Sequence, residues 1–485
     1  MTGMASDRLR PPVSVPPSPS PQAEILHEPA ENLMPLTPNR PLILTACLAA
    51  TFMAAIEATI IAIVMPAIAR DLGDVSLYAW VFAAYMAGQA ATIPIWGRLA
   101  DRNGRRKTFF AGIALFLIGS TLCGFATSMP QLVAFRLLQG LGAGGVQPLA
   151  NTIIADIYPP AMRARLQGLM SSVFGIAAII GPSAGAMLTR HGAWPWVFWM
   201  NLPIGLLAIA MLARVLPPDP APTATGIDVK GSCLLLAAVT SLLIVLRSAS
   251  AWTVAALALT TFALIVQQTR AKPPILPFEL WRDRVLVASG MGSLITGLLM
   301  MGVMAWLPAL ILDVLHQPEG LAALFLAIMA VVWVLGSTAA GLLLPRLGYR
   351  AVAAAGAVFL TAGAAALVSV VASSPEWRSV MGFALIGIGM GFCNTTFMVA
   401  AQTSVGYGQR GAATASIMFL RFLGQALGAA AFAAMGDLTG ALASNPDQIA
   451  AALRAGYELT LAWAVLTVIV AISFPARLAP ALRAT

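Results

Sequence analysis

Charge is what this chain has least of. Only 10% of its 485 residues are Asp, Glu, Lys or Arg and 59% are hydrophobic, where a soluble domain carries roughly 25% charged residues. Such a chain cannot cover itself with a water-facing surface and is read as an integral membrane protein. Histidine is almost missing: His27, His191 and His316 are scattered and suggest no metal cluster. Cys47, Cys123, Cys233 and Cys393 each stand alone in an apolar run. They imply neither a disulfide framework nor a metal site and are expected as core filler. There is no Gly-x-x-x-x-Gly-Lys-Ser/Thr loop to cradle ATP, and no catalytic triad or metal cluster that would make a membrane enzyme. The net charge of +9 is spread mostly between apolar runs rather than gathered in a patch. The bilayer, not nucleic acid, is therefore the expected partner.

Residues 1–41 contain ten prolines and no apolar core of a signal peptide. They read as a disordered tail. Apolar runs then follow at 42–68, 76–98, 108–127, 131–154, 165–189, 196–215, 231–248, 251–268, 287–312, 321–343, 351–371, 379–401, 412–435 and 456–475. Each approaches or exceeds the roughly 20 residues that cross a bilayer as helix. With the N-terminus in the cytoplasm, 21 of the 28 Lys and Arg fall on the cytoplasmic side and five on the other. The positive-inside bias then puts both termini in the cytoplasm. Arg136 and Arg421 remain inside runs, Arg421 with no obvious acid nearby.

The chain repeats itself. Gly97-Arg98-Leu99-Ala100-Asp101-Arg102-Asn103-Gly104 returns 244 residues later as Gly341-Leu342-Leu343-Leu344-Pro345-Arg346-Leu347-Gly348, and Gly140-x-Gly142-x-Gly144 is echoed by Gly387-x-Gly389-x-Gly391. Two homologous halves, 42–216 and 287–476, are expected around a linker, 217–286, that carries two further helices, with a tail at 477–485. Parallel halves of this kind are a standard transporter plan.

Glu57 is the one acid in the run Leu42 to Ile68. An ionised carboxyl in hydrocarbon is costly and marks function by default. On span four, Arg136, Gly140, Gly144, Gln147 and Asn151 share one helical face.

These residues fall into motifs that resemble those of the major facilitator superfamily, and within it the fourteen-span drug:proton antiporter group. The loop Gly97 to Lys107 is similar to the superfamily signature between spans two and three. Arg136-Leu137-Leu138-Gln139-Gly140-Leu141-Gly142 resembles the Arg-x-x-Gln-Gly-x-Gly motif of span four. Gly175 with Gly181-Pro182-Ser183-Ala184-Gly185 resembles the antiporter motif of span five, with Ala186 in place of its last glycine. Glu57-Ala58-Thr59 through Pro66 resembles the group's Asp-x-Thr-(apolar)-Pro signature, with Glu for Asp.

The resemblance implies an all-α, polytopic protein of major facilitator fold with about 14 spans arranged 6 + 2 + 6. It implies a proton-coupled exporter of lipophilic, cationic drugs, working by alternating access as a monomer in the plasma membrane. Glu57 and Arg136 would handle the proton. Gly97, Asp101, Arg102, Gly104 and Arg105 would form a conformational latch, one-sided because Pro345 stands where Asp101 does. Pro182 would bend span five, with Gly175, Gly181 and Gly185 allowing close packing. Tyr85, Gln89, Gln139, Gln147, Asn151, Phe174, Trp306, Trp333 and Asn394 are the candidates for a substrate cavity. No cofactor is expected, the proton gradient being the energy source. The rivals are a narrow exporter of one metabolite, siderophore, amino acid or lipid, and a non-transporting sensor or scaffold.

Overall fold

The computed structural model of the chain describes residues 39–73, 77–190, 193–216, 228–247, 250–271, 274, 279–309, 320–370, 375–439 and 446–475. The tails expected at 1–41, up to residue 38, and at 477–485 lie outside the described residues, as do His27, His191 and His316. Among the described residues every regular element is a helix. In chain order these are α1 Arg40–Leu72, α2 Tyr78–Asn103, α3 Arg105–Gly124, α4 Met129–Ile157, α5 Pro160–Arg190, α6 Trp196–Trp199, α7 Asn201–Val215, α8 Val229–Arg247, α9 Ala251–Arg270, α10 Arg284–Ala309, α11 Gly320–Val368, α12 Glu376–Thr403, α13 Arg410–Thr439 and α14 Pro446–Ser473.

Helix is found at each apolar run of the sequence, and eight stretches among the described residues are long and apolar enough to cross a membrane. Helices α2 and α4 are long enough, at 26 and 29 residues, but fall short in apolarity. Both carry glycines, glutamines and buried charges. A helix packed against protein on most sides need not be as apolar as one that faces lipid tails.

The repeat is visible in the backbone. Gly104 (φ 94°, ψ 160°) and Gly348 (φ 83°, ψ 169°), 244 residues apart, take the same conformation. That region is closed to side chains bearing a Cβ. At Gly104 the turn separates α2 from α3, and at Gly348 it breaks the 49-residue α11 into two segments. The glycine echo is equally exact in its partners. Gly140 and Gly144 lie against the backbone of Tyr85 and of Gln89, and Gly387 and Gly391 against that of Met329 and Trp333, again 244 residues on. Close backbone approach between α2 and α4, and between the first segment of α11 and α12, explains why these positions are glycine.

Each half has its own core. Ile43, Met53, Phe109, Phe116 and Ile153 are fully or almost fully buried in the first. Phe325, Leu360, Phe383, Phe397 and Tyr457 are so in the second. The halves meet along two seams, α5 against α11 and α2 against α13. The pair α8–α9 packs on α2, where Leu235, Val239 and Leu264 cover Ala91. Cys47, Cys123 and Cys393 are buried as expected, whereas Cys233 is exposed on α8.

Candidate functional site: a buried ion pair and a cross-seam latch

Glu57 lies wholly inside the first half. Its Oε1 accepts from Arg136 Nη1 at 2.7 Å, and its Oε2 from Asn201 Nδ2 at 2.5 Å. Arg136 also donates to Gln139 Oε1 (2.8 Å) and from Nε to the Val81 carbonyl (3.3 Å). Its guanidinium rests 4.2 Å from the centroid of the Tyr85 ring, a cation–π contact. Asn201 donates further to Ser120 Oγ (2.9 Å), which donates to the Phe198 carbonyl (2.8 Å). Six helices, α1, α2, α3, α4, α6 and α7, therefore contribute to the network around one carboxyl, and Glu57, Gln139, Asn201 and Ser120 have no exposed surface.

The geometry has a clear electrostatic logic. A buried pair tolerates its desolvation only if further hydrogen bonds satisfy both partners, and here a carbonyl, an amide and an aromatic face supply them. Removing the charge from the carboxyl would leave Arg136 with Gln139, Val81 and Tyr85 as remaining partners. Gln139 and Tyr85, both candidates for the substrate cavity, belong to this cluster. Asn201 and Ser120 were not singled out. Ser120 is marked only as a polar residue inside an apolar run, whereas Asn201 also stands in the stretch Trp194 to Gly205, which resembles the fourteen-span group.

Among the described residues the matching place in the second half has no ion pair. Phe325 stands 244 residues after Val81, and Phe383 stands 247 after Arg136, as Gly387 does after Gly140. The two rings pack 5.5 Å apart in the core.

The second charged cluster joins the halves. Asp101 Oδ1 and Oδ2 accept the backbone N–H groups of Gly411 (3.0 Å) and Ala412 (2.8 Å), in the first turn of α13. Arg105 bridges Asp101 (2.5 Å) and Asp156 (2.9 Å), and Arg410 Nη1 lies 3.5 Å from Asp156. A carboxylate at a helix N-terminus satisfies orphan N–H groups and the positive end of the helix dipole. Gly97 allows the approach, since a Cβ there would sit 2.6 Å from the Gly411 carbonyl and collide with Ala415. Of the five expected latch residues, Gly97, Asp101 and Arg105 meet here and Gly104 turns the chain. Arg102 makes none of these contacts; its Nε is buried without a partner. Asp156 lies just past the apolar run 131–154, so the sequence does not mark it as it marks Glu57.

One to two turns inward the seam is closed by smaller contacts. Gln402 Nε2 reaches the Asn151 carbonyl (3.5 Å) and Thr414 Oγ1 (3.3 Å), and Asn151 Nδ2 reaches Met418 Sδ (3.9 Å). On the other seam, Ser337 donates to Ser171 (3.3 Å). Helix α5 runs through the 181–185 motif without a break. Gly181 is packed so tightly on Thr59 that a side chain there would collide, and Thr59 Oγ1 donates to the Ala177 carbonyl at 3.0 Å as well as to its own helix. Gly175 faces Val334 of α11, and Gly185 is buried. The side chains of Pro182 and Trp306 lie outside the described residues. Among the remaining cavity candidates, Gln89, Gln147 and Trp333 are half-buried, Asn394 is buried and Phe174 is exposed.

The family model described as Major Facilitator Superfamily matches residues 47–429. The chain is 30% identical over 391 residues to "Multidrug resistance protein 3" of Bacillus subtilis, covering 78% of this chain and 76% of that one. It is 29% identical over 400 residues to "Multidrug transporter protein MdtP" of the same organism, covering 80% and 74%. Among solved structures, the human organic anion transporter MFSD10 superposes with a TM-score of 0.66 at 16% identity, over 90% of this chain and 100% of that one. The proton:xylose symporter XylE superposes with a TM-score of 0.63 at 15% identity, over 91% and 98%; both likenesses are of fold. A multi-pass membrane protein built from two repeated helical halves, this chain belongs to the Major Facilitator Superfamily.

Proposed function

We propose that the protein is a fourteen-span, proton-coupled antiporter that exports lipophilic compounds by alternating access, as a monomer in the plasma membrane with both termini in the cytoplasm. Export is supported by the names of its relatives, a multidrug transporter and a multidrug resistance protein. Proton coupling is supported by one observation above all. Glu57 is fully buried, and its two oxygens are held by Arg136 at 2.7 Å and Asn201 at 2.5 Å.

In this reading the described conformation is closed toward the cytoplasm, with Asp101 on α13 as the latch. Glu57 is ionised and bound to Arg136. A proton entering from outside takes the Glu57 oxygen and frees the guanidinium. Helices α1, α2, α4 and α7, which all touch the pair, then repack, and the halves rock about the glycine-lined seams. A charge crossing 100 mV gains about 2.3 kcal/mol, enough for modest accumulation per proton. A cationic drug would have to displace Arg136 to reach Glu57, so this cluster favours a proton over cargo as the carboxyl's ligand.

The test is Glu57→Gln in proteoliposomes with an imposed pH gradient. Loss of gradient-driven export with retained substrate binding is expected. Undiminished export would remove Glu57 from the coupling step.

A further inference from the structure

Among the described residues of the second half, eight buried side-chain polar atoms have no hydrogen-bond partner, and among them are N–H donors on Arg421, Asn394 and Trp333. Arg421 makes no ion pair or hydrogen bond among the described residues, its Nε is buried, and its guanidinium lies 5.6 Å from the centroid of the Phe422 ring. Asn394 is 8% exposed and its Nδ2 has no partner, nor has the buried Nε1 of Trp333. Among the described residues no acid pairs with Arg421. The nearest along its own helix is Asp437, 16 residues on, or about 24 Å at 1.5 Å per residue. Glu376 opens α12, 18 residues before Asn394, or about 27 Å. In the first half Glu57, Asp101 and Asp156 are already taken by Arg136, by Arg105 and by α13.

These donors share one level of the seam. Gln402 of α12 touches Thr414 of α13. From that contact Asn394 is eight residues away and Arg421 seven, each about 11–12 Å along its helix. Gln89 lies the same eight residues from Gly97, where α2 meets α13. Trp333 is set against Gly391, one turn from Asn394, and Phe174 exposes its ring on α5 beside the Gly175–Val334 contact. An uncompensated arginine inside a membrane protein is costly and marks a pathway or a ligand. The groups on Arg421, Asn394 and Trp333 are all N–H donors and one of them is a guanidinium, so the partner that suits them together is an acceptor with negative charge.

We infer that this level of the seam binds the carboxylate of an otherwise apolar organic acid, with Arg421 pairing the anion, Asn394 and Trp333 donating beside it, and the apolar body lying toward Phe174. The inference rests on the transport reading above and assigns its cargo to lipophilic anions rather than cations.

The test uses three probes with one ring system, pyrenebutyrate, its methyl ester and pyrenebutylammonium. Their binding to the full-length protein in lipid nanodiscs is compared with binding to empty nanodiscs, at equal pH throughout. Pyrenebutyrate should bind at least about tenfold more tightly than either relative, as charge-assisted pairing to arginine implies. Arg421→Gln should weaken pyrenebutyrate about tenfold and the ester by less than about twofold, with Arg421→Lys between. Equal or tighter binding of the ammonium, no binding above empty discs, or an unchanged affinity in Arg421→Gln would each overturn the assignment. If Arg421→Gln does not fold, the preference of the unaltered protein and of Arg421→Lys decides. No gradient is present, so this outcome is independent of whether Glu57 couples protons.

Discussion

The carboxylate of Asp101, on α2, caps α13 of the opposite half by accepting the N–H of Ala412 at 2.8 Å. A residue 311 positions away along the chain thus holds the first turn of a helix it does not belong to. Whatever separates the halves at this end must strip α13 of its cap.

Asp101→Ala is expected to shift the protein toward a state open at this end. A helix cap is worth about 1 kcal/mol and charged hydrogen bonds about 1.5–3 kcal/mol. The population ratio should therefore move by roughly tenfold to a hundredfold. Electron–electron distances between spin labels near the ends of α2 and α13 would lengthen; an unchanged distance distribution would remove Asp101 from the latch.

Gly97→Val places a branched side chain against the Gly411 carbonyl and Ala415, where even a Cβ does not fit. Closure at this end should become unfavourable by more than 1–3 kcal/mol, the usual range for overpacking. Turnover should fall at least about tenfold while cargo binding measured without a gradient persists. Normal turnover would mean the seam can reopen and close at a wider spacing.

Glu57→Gln leaves Arg136 buried without its counter-charge. Breaking a buried pair from one side costs about 3–5 kcal/mol, read as a lowered melting temperature in detergent. The double variant Glu57→Gln, Arg136→Met should recover most of that loss yet stay inactive in gradient-driven transport. Equal destabilisation in the single and double variants would show that the pair contributes nothing as a pair.

Asn201→Leu removes the amide that bridges Glu57 and Ser120. Two buried groups lose a donor, for a cost of about 1–3 kcal/mol each. Asn201→Asp would put a second acid beside Glu57, and transport should then respond to pH over a different range. A pH profile identical to that of the unaltered protein would make Asn201 a packing residue only.

Much of this was legible in the sequence, because membranes make polar residues conspicuous. Glu57, Arg136 and Asp101 stood out as charges where charge is costly, and the glycines of the repeat marked the close crossings that the helices make. The partners were harder to see. Asn201 and Ser120 are uncharged and common enough in helices to pass unnoticed. Gly411 and Ala412 act through backbone N–H groups, which no side-chain pattern records. The contacts of Tyr85 and Gln139 with Arg136 are not legible, because polarity alone cannot say whether a residue faces a neighbouring helix or open space. That distinction depends on helix rotation, which a few tens of degrees decide.

The aromatic pair Phe325–Phe383 occupies, in the second half, the place of Val81 and Arg136 in the first. The halves share a scaffold, and among the described residues the first alone carries an ion pair at this place. If Glu57 exchanges one proton per cycle, that asymmetry fixes the ceiling of the pump. For an uncharged cargo, 100 mV supplies about 2.3 kcal/mol, or roughly a fiftyfold gradient. A cargo leaving as a monovalent anion moves a second charge in the helpful direction, and the same potential would sustain a ratio of roughly two thousand.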